Sequence, residues 1–433
     1  MRAQRAVAMF AAVALSGGLL SGCSSDSGKP TLNWYINPDG VDSLTQIAEN
    51  CSTDDYNIAI QLLPSSATDQ RTQLARRLAA NDSSTDLMSL DPVFVPEFAN
   101  AGWLKEVPSD IADAITDENG DYLRGAADTV VWNNAVYALP QWANTQVLWY
   151  RKSLAEAAGL DTTAPVTWDQ IIDAAAGNNG TVGIQGNKYE AYVVLINALI
   201  QGAGGDIVSN TEAGRDASVD IDSDAGRRAA EIIQKLAQSD AAQPDLSVSN
   251  EGTVLPYMFA ASGAGTFMVN WTFVYGNYKA LVEAGSLTQE QFDDLGWVRY
   301  PETDAGTASK PPIGGIDVGV GAFTKYPDQA MAAAECVTNS EAQTQLAVNE
   351  GLMPSTTSAY QAPELTEAYP ADLLELFRTS VDEGGPRPKS AFYSMISSAV
   401  QARWHPPNSV NPDTTPQRSA DFLRDVLEGR ALL

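Results

Sequence analysis

The segment Thr31–Pro92, TLNWYINPDGVDSLTQIAENCSTDDYNIAIQLLPSSATDQRTQLARRLAANDSSTDLMSLDP, decides the fold. Thr31 to Ile36 is apolar, β-branched and aromatic, and reads as a strand. Asn37-Pro38-Asp39-Gly40 is a turn. Leu44, Ile47, Ala48 and Cys51 then recur at helical spacing, which predicts an amphipathic helix. Ile58, Ile60 and Leu62 alternate as a strand. Leu74, Ala75 and Leu78 mark a second helix, and Asp86 to Leu90 is a short strand ending at Asp91-Pro92. The order β-α-β-α-β is the rhythm of an α/β fold, a parallel sheet with helices on both faces. Ligands of such sheets bind beyond the carboxyl ends of the strands. Asn37 and Asp91 sit at those ends. Asp91 reads equally well as a turn acid or helix cap.

A second stretch, Asn250–Tyr278 (NEGTVLPYMFAASGAGTFMVNWTFVYGNY), carries the chemistry. It reads as a short helix, glycines, then a buried strand ending in Asn270-Trp271, with Glu251 at its start. Sugars pack a C–H face on an aromatic ring and direct hydroxyls to carboxylates and amides. The plainer reading makes Trp271 a core tryptophan and Glu251 a solvated loop acid.

The 433 residues suffice for two to three domains. Lys and Arg number 26 against 54 Asp and Glu, a net charge of −28. That excludes nucleic acid as a partner and adsorption to anionic lipid, and it suits a neutral ligand. Arg2 and Arg5 precede an apolar run, Ala6 to Leu20, too short to span a bilayer comfortably. Leu20-Ser21-Gly22-Cys23 resembles the lipobox of bacterial lipoproteins, with Cys23 the acylated residue; the alternative is an ordinary signal peptide with an incidental cysteine. The polar residues after Cys23 form a tether. Cys51 and Cys336 remain, an even number for an oxidising compartment. They are expected to pair, two buried thiols being the other reading.

Further along, Val136–Pro140 and Val147–Tyr150 read as two strands flanking Gln141-Trp142-Ala143-Asn144-Thr145-Gln146. Thr167-Trp168-Asp169-Gln170 has capping-box spacing. Ile313-Gly314-Gly315-Ile316 precedes a short strand, and the C-terminal part reads as helical. A lone His405 beside prolines excludes a His-based metal site or triad. Nucleophile-elbow and Walker motifs are absent from the sequence. No metal or cofactor is expected. Glycoside hydrolysis needs only two carboxylates, and Asp91 with Glu251 is the pair on offer.

These pieces match a family. The chain resembles the extracellular solute-binding proteins of bacterial ABC sugar importers, the group that includes the maltose-binding protein. The marks are the lipobox, Tyr137-Ala138-Leu139-Pro140, Leu148-Trp149-Tyr150-Arg151-Lys152, Thr167-Trp168-Asp169, Gly204-Gly205-Asp206, Asn270-Trp271 and Gly314-Gly315. It is most similar to the actinobacterial trehalose-binding lipoproteins, through Asp86–Asp91, Asn144–Arg151 and Val269–Trp271, and Cys51 and Cys336 fall where that group has its cysteines. The resemblance implies a two-lobed, periplasmic-binding-protein-like fold, each lobe a sheet flanked by helices, with the ligand cleft between them.

Residues 1–22 would be the signal peptide and 23–30 the tether. Residues 31–140 plus 300–350 would form the first lobe, and 141–299 plus 351–433 the second. The chain would cross near Gln141, Tyr300 and Gly351. By carry-over, Asp91, Asn144, Glu251 and Trp271 line the site, and Gly314 and Gly315 allow close backbone approach. Asn37, Trp142 and Asn270 join on chemistry alone. Trehalose binders use an arginine in the C-terminal helix near a tyrosine like Tyr393. Ser394 to Ala399 has none, and Arg403 is the nearest. That keeps maltose or another α-glucoside open beside trehalose. The implied protein is a monomer tethered outside the cell by lipid, passing a disaccharide to permease subunits and their ATPase.

Overall fold

Eight strands build the two sheets on which everything else packs, and the computed structural model describes them within residues 28–260 and 265–433. The leader 1–22 and Cys23 lie outside the described residues. In chain order the strands are β1 (Thr31–Ile36), β2 (Asn57–Leu62), β3 (Leu87–Leu90) and β4 (Leu139–Arg151), then β5 (Thr181–Gly183), β6 (Gly265–Trp271), β7 (Leu295–Val298) and β8 (Ile313–Val320). The order across the sheet is β2-β1-β3-β8-β4-β6-β5, with β7 also pairing β4.

The opening βαβαβ is as expected. β1 lies between β2 and β3, parallel to both. Helices α1 (Val41–Asn50) and α2 (Ala67–Ala79) connect them, each burying one apolar face. α2 is capped by the Ser66 hydroxyl, which accepts from the Asp69 N–H.

β4 differs from its reading as two strands. It is one continuous strand that changes partner midway. Leu139–Thr145 pair with β8, antiparallel. Gln146–Arg151 pair with β6 on one edge and β7 on the other. The polar run lacks a period-2 apolar pattern, so by sequence it reads as a break. Those polar side chains are nonetheless buried and bonded: Gln141 donates to the Val337 carbonyl at 2.8 Å and Gln146 to Gln185 Oε1 at 3.1 Å.

The ladder therefore changes lobe between Thr145 and Gln146, a few residues past Gln141. The second crossing is β8 itself, starting at Ile313. Tyr300, where a crossing was expected, packs edge-on against Trp168 in the second lobe's core, ring centroids 5.7 Å apart. The third runs beside β4 at Gly351–Pro354, where the Ala143 N–H donates to the Met353 carbonyl at 2.9 Å.

One apolar core fills the first lobe, around Leu32, Trp34, Leu87 and Val318. Two more lie on the faces of the second sheet. One is centred on α3 (Glu190–Gly202), which is buried along nearly its whole length. The other gathers Trp149, Met268 and Phe377 beneath α5 (Ala371–Asp382). α4 (Pro327–Val337) covers β8 and buries its apolar face in the first core. α6 (Tyr393–Trp404) and α7 (Thr415–Leu427) close the second lobe. No described helix is long and apolar enough to cross a membrane.

Cys51 at the end of α1 is bonded to Cys336 on α4, closing a loop of 285 residues within the first lobe. The double change Cys51→Ser/Cys336→Ser should lower the unfolding free energy by about 2–5 kcal/mol. Urea midpoints under oxidising conditions measure this, and ligand affinity should not move.

Candidate functional site

Strand register puts the chemistry at the crossings. Trp271, the last residue of β6, pairs with Gln146, and Gly314 pairs with Asn144. The Trp271 six-membered ring lies over Gly314: a Cβ there would stand 2.9 Å from two of its carbons. The missing side chain at 314 thus makes room for an indole. Gly315 has φ of +137°, and a Cβ there would lie 2.1 Å from the Trp142 carbonyl oxygen, so only glycine fits against β4.

Around Trp271 the polar groups converge. Glu251 is partly buried, and its carboxylate accepts from the Tyr189 hydroxyl. Burial raises its pKa above the ordinary carboxylate value; the Tyr189 bond opposes this and the Asp39 charge from the β1–α1 turn adds to it. Asp39 in turn accepts from Asn37 Nδ2 at 2.8 Å. So a charge on the first lobe's turn is felt at Glu251 of the second.

Two other expected residues are brought here in a supporting role. Asn270 is fully buried; it donates to the Glu251 carbonyl at 3.0 Å and accepts from the Trp271 N–H at 2.9 Å. Asn144 accepts from the Met353 N–H and the Thr272 hydroxyl, both at 3.1 Å, which leaves Nδ2 as its free donor among the described residues. Trp142 is 3 % exposed and packs into the first core.

Asp91 belongs to a neighbouring cluster. It caps the turn Pro92–Phe94, accepting from the Val93 N–H. Its carboxylate takes both terminal nitrogens of Arg387, at 2.8 and 3.3 Å. Arg387 also donates to Glu190 at 2.8 Å, and Glu190 accepts from the Tyr393 and Ser397 hydroxyls. Tyr189 and Glu190 are consecutive at the start of α3, so one helix end joins this cluster to the Glu251 cluster.

Arg403 requires a correction. Its guanidinium stacks on Phe422, 3.9 Å from the ring centre, at the far end of α6. The arginine beside Tyr393 is Arg387, which precedes the helix. Its only signal was the Pro386-Arg387-Pro388 run six residues before that tyrosine.

A cavity of about 260 Å³ opens beside this cluster, lined by Thr68 and Arg71 of α2, Phe94, Glu190, and Ser394 and Ser397 of α6. It lies between the lobes and is rich in hydroxyl groups. A wider hollow of about 490 Å³ on the outer face, between α1 and Asn349-Glu350, is shallow and lies apart from these residues. Among the described residues no His, Cys, Asp and Glu cluster could hold a metal ion.

The chain thus builds two lobes on shared strands with a polar cavity between them. Residues 46–372 match the family of bacterial extracellular solute-binding proteins, and the chain belongs to it. A probable ABC transporter-binding protein of Deinococcus radiodurans is 24 % identical over 324 residues, 71 % of each chain. Maltose-bound MalE3 of T. maritima superposes with a TM-score of 0.77 at 23 % identity, covering 93 % of this chain and 100 % of that one. The GacH receptor of Streptomyces glaucescens, solved unliganded and with acarbose, gives 0.73 at 22 % identity, covering 92 % and 99 %. These two structures share the two-lobed fold.

One buried acid at the cleft has no evident structural use. Asp317 on β8 pairs with Leu90, next to Asp91, and is 2 % exposed. Among the described residues Oδ2 has no partner, and Oδ1 meets only the Thr129 hydroxyl, which also bonds the Ala126 carbonyl. Burial pushes its carboxyl well above the carboxylate range; the Thr129 bond opposes and the Asp91 charge adds. The unfolded carboxyl ionises near pH ~3.9. The native state keeps the proton to higher pH, so its stabilisation is complete below the unfolded value and is lost as pH rises through the folded one. Asp317→Asn should remove that decline. Urea midpoints between pH 4 and 8 should show the variant gaining about 1–3 kcal/mol on the parent at the alkaline end.

Proposed function

We propose that this chain captures a neutral disaccharide and delivers it to a membrane permease with its ATPase. Trehalose is favoured; maltose and other α-glucosides are the alternatives. The observation that carries the reading is the Trp271 ring set over Gly314, with the Glu251 carboxylate and the Asn144 amide beside it. That set supplies what a pyranose needs, an apolar face rimmed by acceptors and a donor. The T. maritima and Streptomyces structures, with maltose and acarbose bound, support the same ligand class. Capture works by closure: a solute touching both lobes favours the closed form by its difference in affinity for closed and open states. The closed form would then dock on the permease. Asp91 serves this as part of a buried ion pair. A hydrolase would need it as one of two working carboxyls, and its pairing with Arg387 supports binding over cleavage. Lipidation at Cys23 would hold the protein at the outer surface of the cell membrane, provided a second acyl chain adds to the first.

Calorimetric titration with trehalose and maltose should give saturable heat for one of them. Silence from every α-glucoside at millimolar concentration would end the sugar reading, and free glucose after incubation would favour the hydrolase. Trp271→Ala should weaken the bound sugar by about 1–3 kcal/mol. Unchanged affinity with a lower melting temperature would make Trp271 a packing residue only. Cys23→Ala should move the full-length protein from the membrane to the soluble fraction, read by fractionation.

A further inference from the structure

Arg387 bonds groups from both lobes. Its side chain is 5 % exposed, the most buried cation among the described ion pairs. Its own segment is fixed to the second lobe: the Gly385 N–H donates to the Pro311 carbonyl at 2.8 Å, and the Pro386 carbonyl accepts from Asn197 and Gln201 of α3. Its partner Asp91 leaves β3 in the first lobe. A continuous chain results. Gln401 donates to Ser397 at 2.9 Å, and Ser397 to Glu190 at 2.6 Å. Glu190 also receives the Tyr393 hydroxyl and Arg387, and Arg387 closes on Asp91. Two further contacts cross in parallel. The Phe94 ring meets Tyr393 edge-on at 6.3 Å, and Lys389 donates to the Asp128 carbonyl at 2.7 Å. Planar, bidentate pairing out of water makes this interaction directional.

We infer that Arg387 is a positioning residue: by gripping Asp91 and Glu190 at once, it sets the closed arrangement of the lobes from within the protein, before any solute arrives. The solute then enters a cleft whose jaws are already biased shut. Its affinity gains the fraction of time the competent form is populated. The ligand half of this rests on the sugar reading above; the shape of the free protein does not.

Small-angle scattering on the ligand-free, full chain tests it directly. The parent should be nearly as compact without sugar as with it. Arg387→Gln and Asp91→Asn should each expand the free protein, and added sugar should contract them again. Arg387→Lys keeps the charge without the fork and should fall between. Calorimetry should show at least tenfold weaker sugar binding by Arg387→Gln. If Arg387→Gln does not fold, Asp91→Asn, which removes the cross-lobe partner and nearly keeps its volume, carries the test. Free variants with the parent's radius of gyration would overturn the inference, as would a parent as expanded as they are. No sugar binding by the parent would end the sugar reading alone, because the scattering comparison would still stand.

Discussion

Everything at the cleft depends on one backbone ladder that serves two sheets. β4 hands its hydrogen bonds from β8 to β6 and β7 between Thr145 and Gln146. Because the partners change there, the strand registers on either side fix what faces what. Trp271 opposes Gln146 and Gly314 opposes Asn144, so an indole from one lobe comes to rest on backbone that leads into the other. A slip of one residue in either ladder would turn these side chains to the opposite face. The Asn270 amide, bonded on both sides, holds Glu251 and Trp271 to that register.

The same crossing shows where sequence reading works and where it stops. The β1–α1–β2–α2–β3 run was legible because each element announces itself by a local period and a turn. The capping box at Thr167 and Gln170 was legible for the same reason, and both of its bonds are formed. β4 was not, because Gln141, Thr145 and Gln146 are buried by contacts with distant segments, and no local pattern of apolar residues marks them. Trp271 and Glu251 stood out by residue type. Arg387 did not, since its partners Asp91 and Glu190 lie 296 and 197 residues away and its flanking prolines suppress any helical period. Gly314 was read as room for a ligand; the room is for the protein's own tryptophan.

Burying Arg387 carries a desolvation cost that its two carboxylates offset through the terminal nitrogens, while Nε stays buried without a partner among the described residues. Both terminal nitrogens are engaged, and Glu190 receives three donors. Such a set contributes less to stability than to uniqueness of arrangement: with one member missing, the others are buried and unsatisfied. That is a reason for lobe-to-lobe contact here to be made by ions rather than by apolar side chains, which would hold the lobes together without fixing their angle.

Charge then bears on what the cleft admits. The chain carries a net −28, and the buried cation nearest Asp91 is already matched by two carboxylates. Arg71, at the rim of the cavity beside it, is paired with Glu97. Asp39 and Glu251 add acceptors from opposite jaws. An anionic solute would meet like charge with no free guanidinium to bind it, and repulsion of this kind is felt most where water is excluded. Under the proposed reading, a solute made of hydroxyl groups would meet acceptors suited to its donors and an indole suited to its ring. The electrostatics and the packing at Trp271 both favour the uncharged, hydroxyl-rich ligand proposed above.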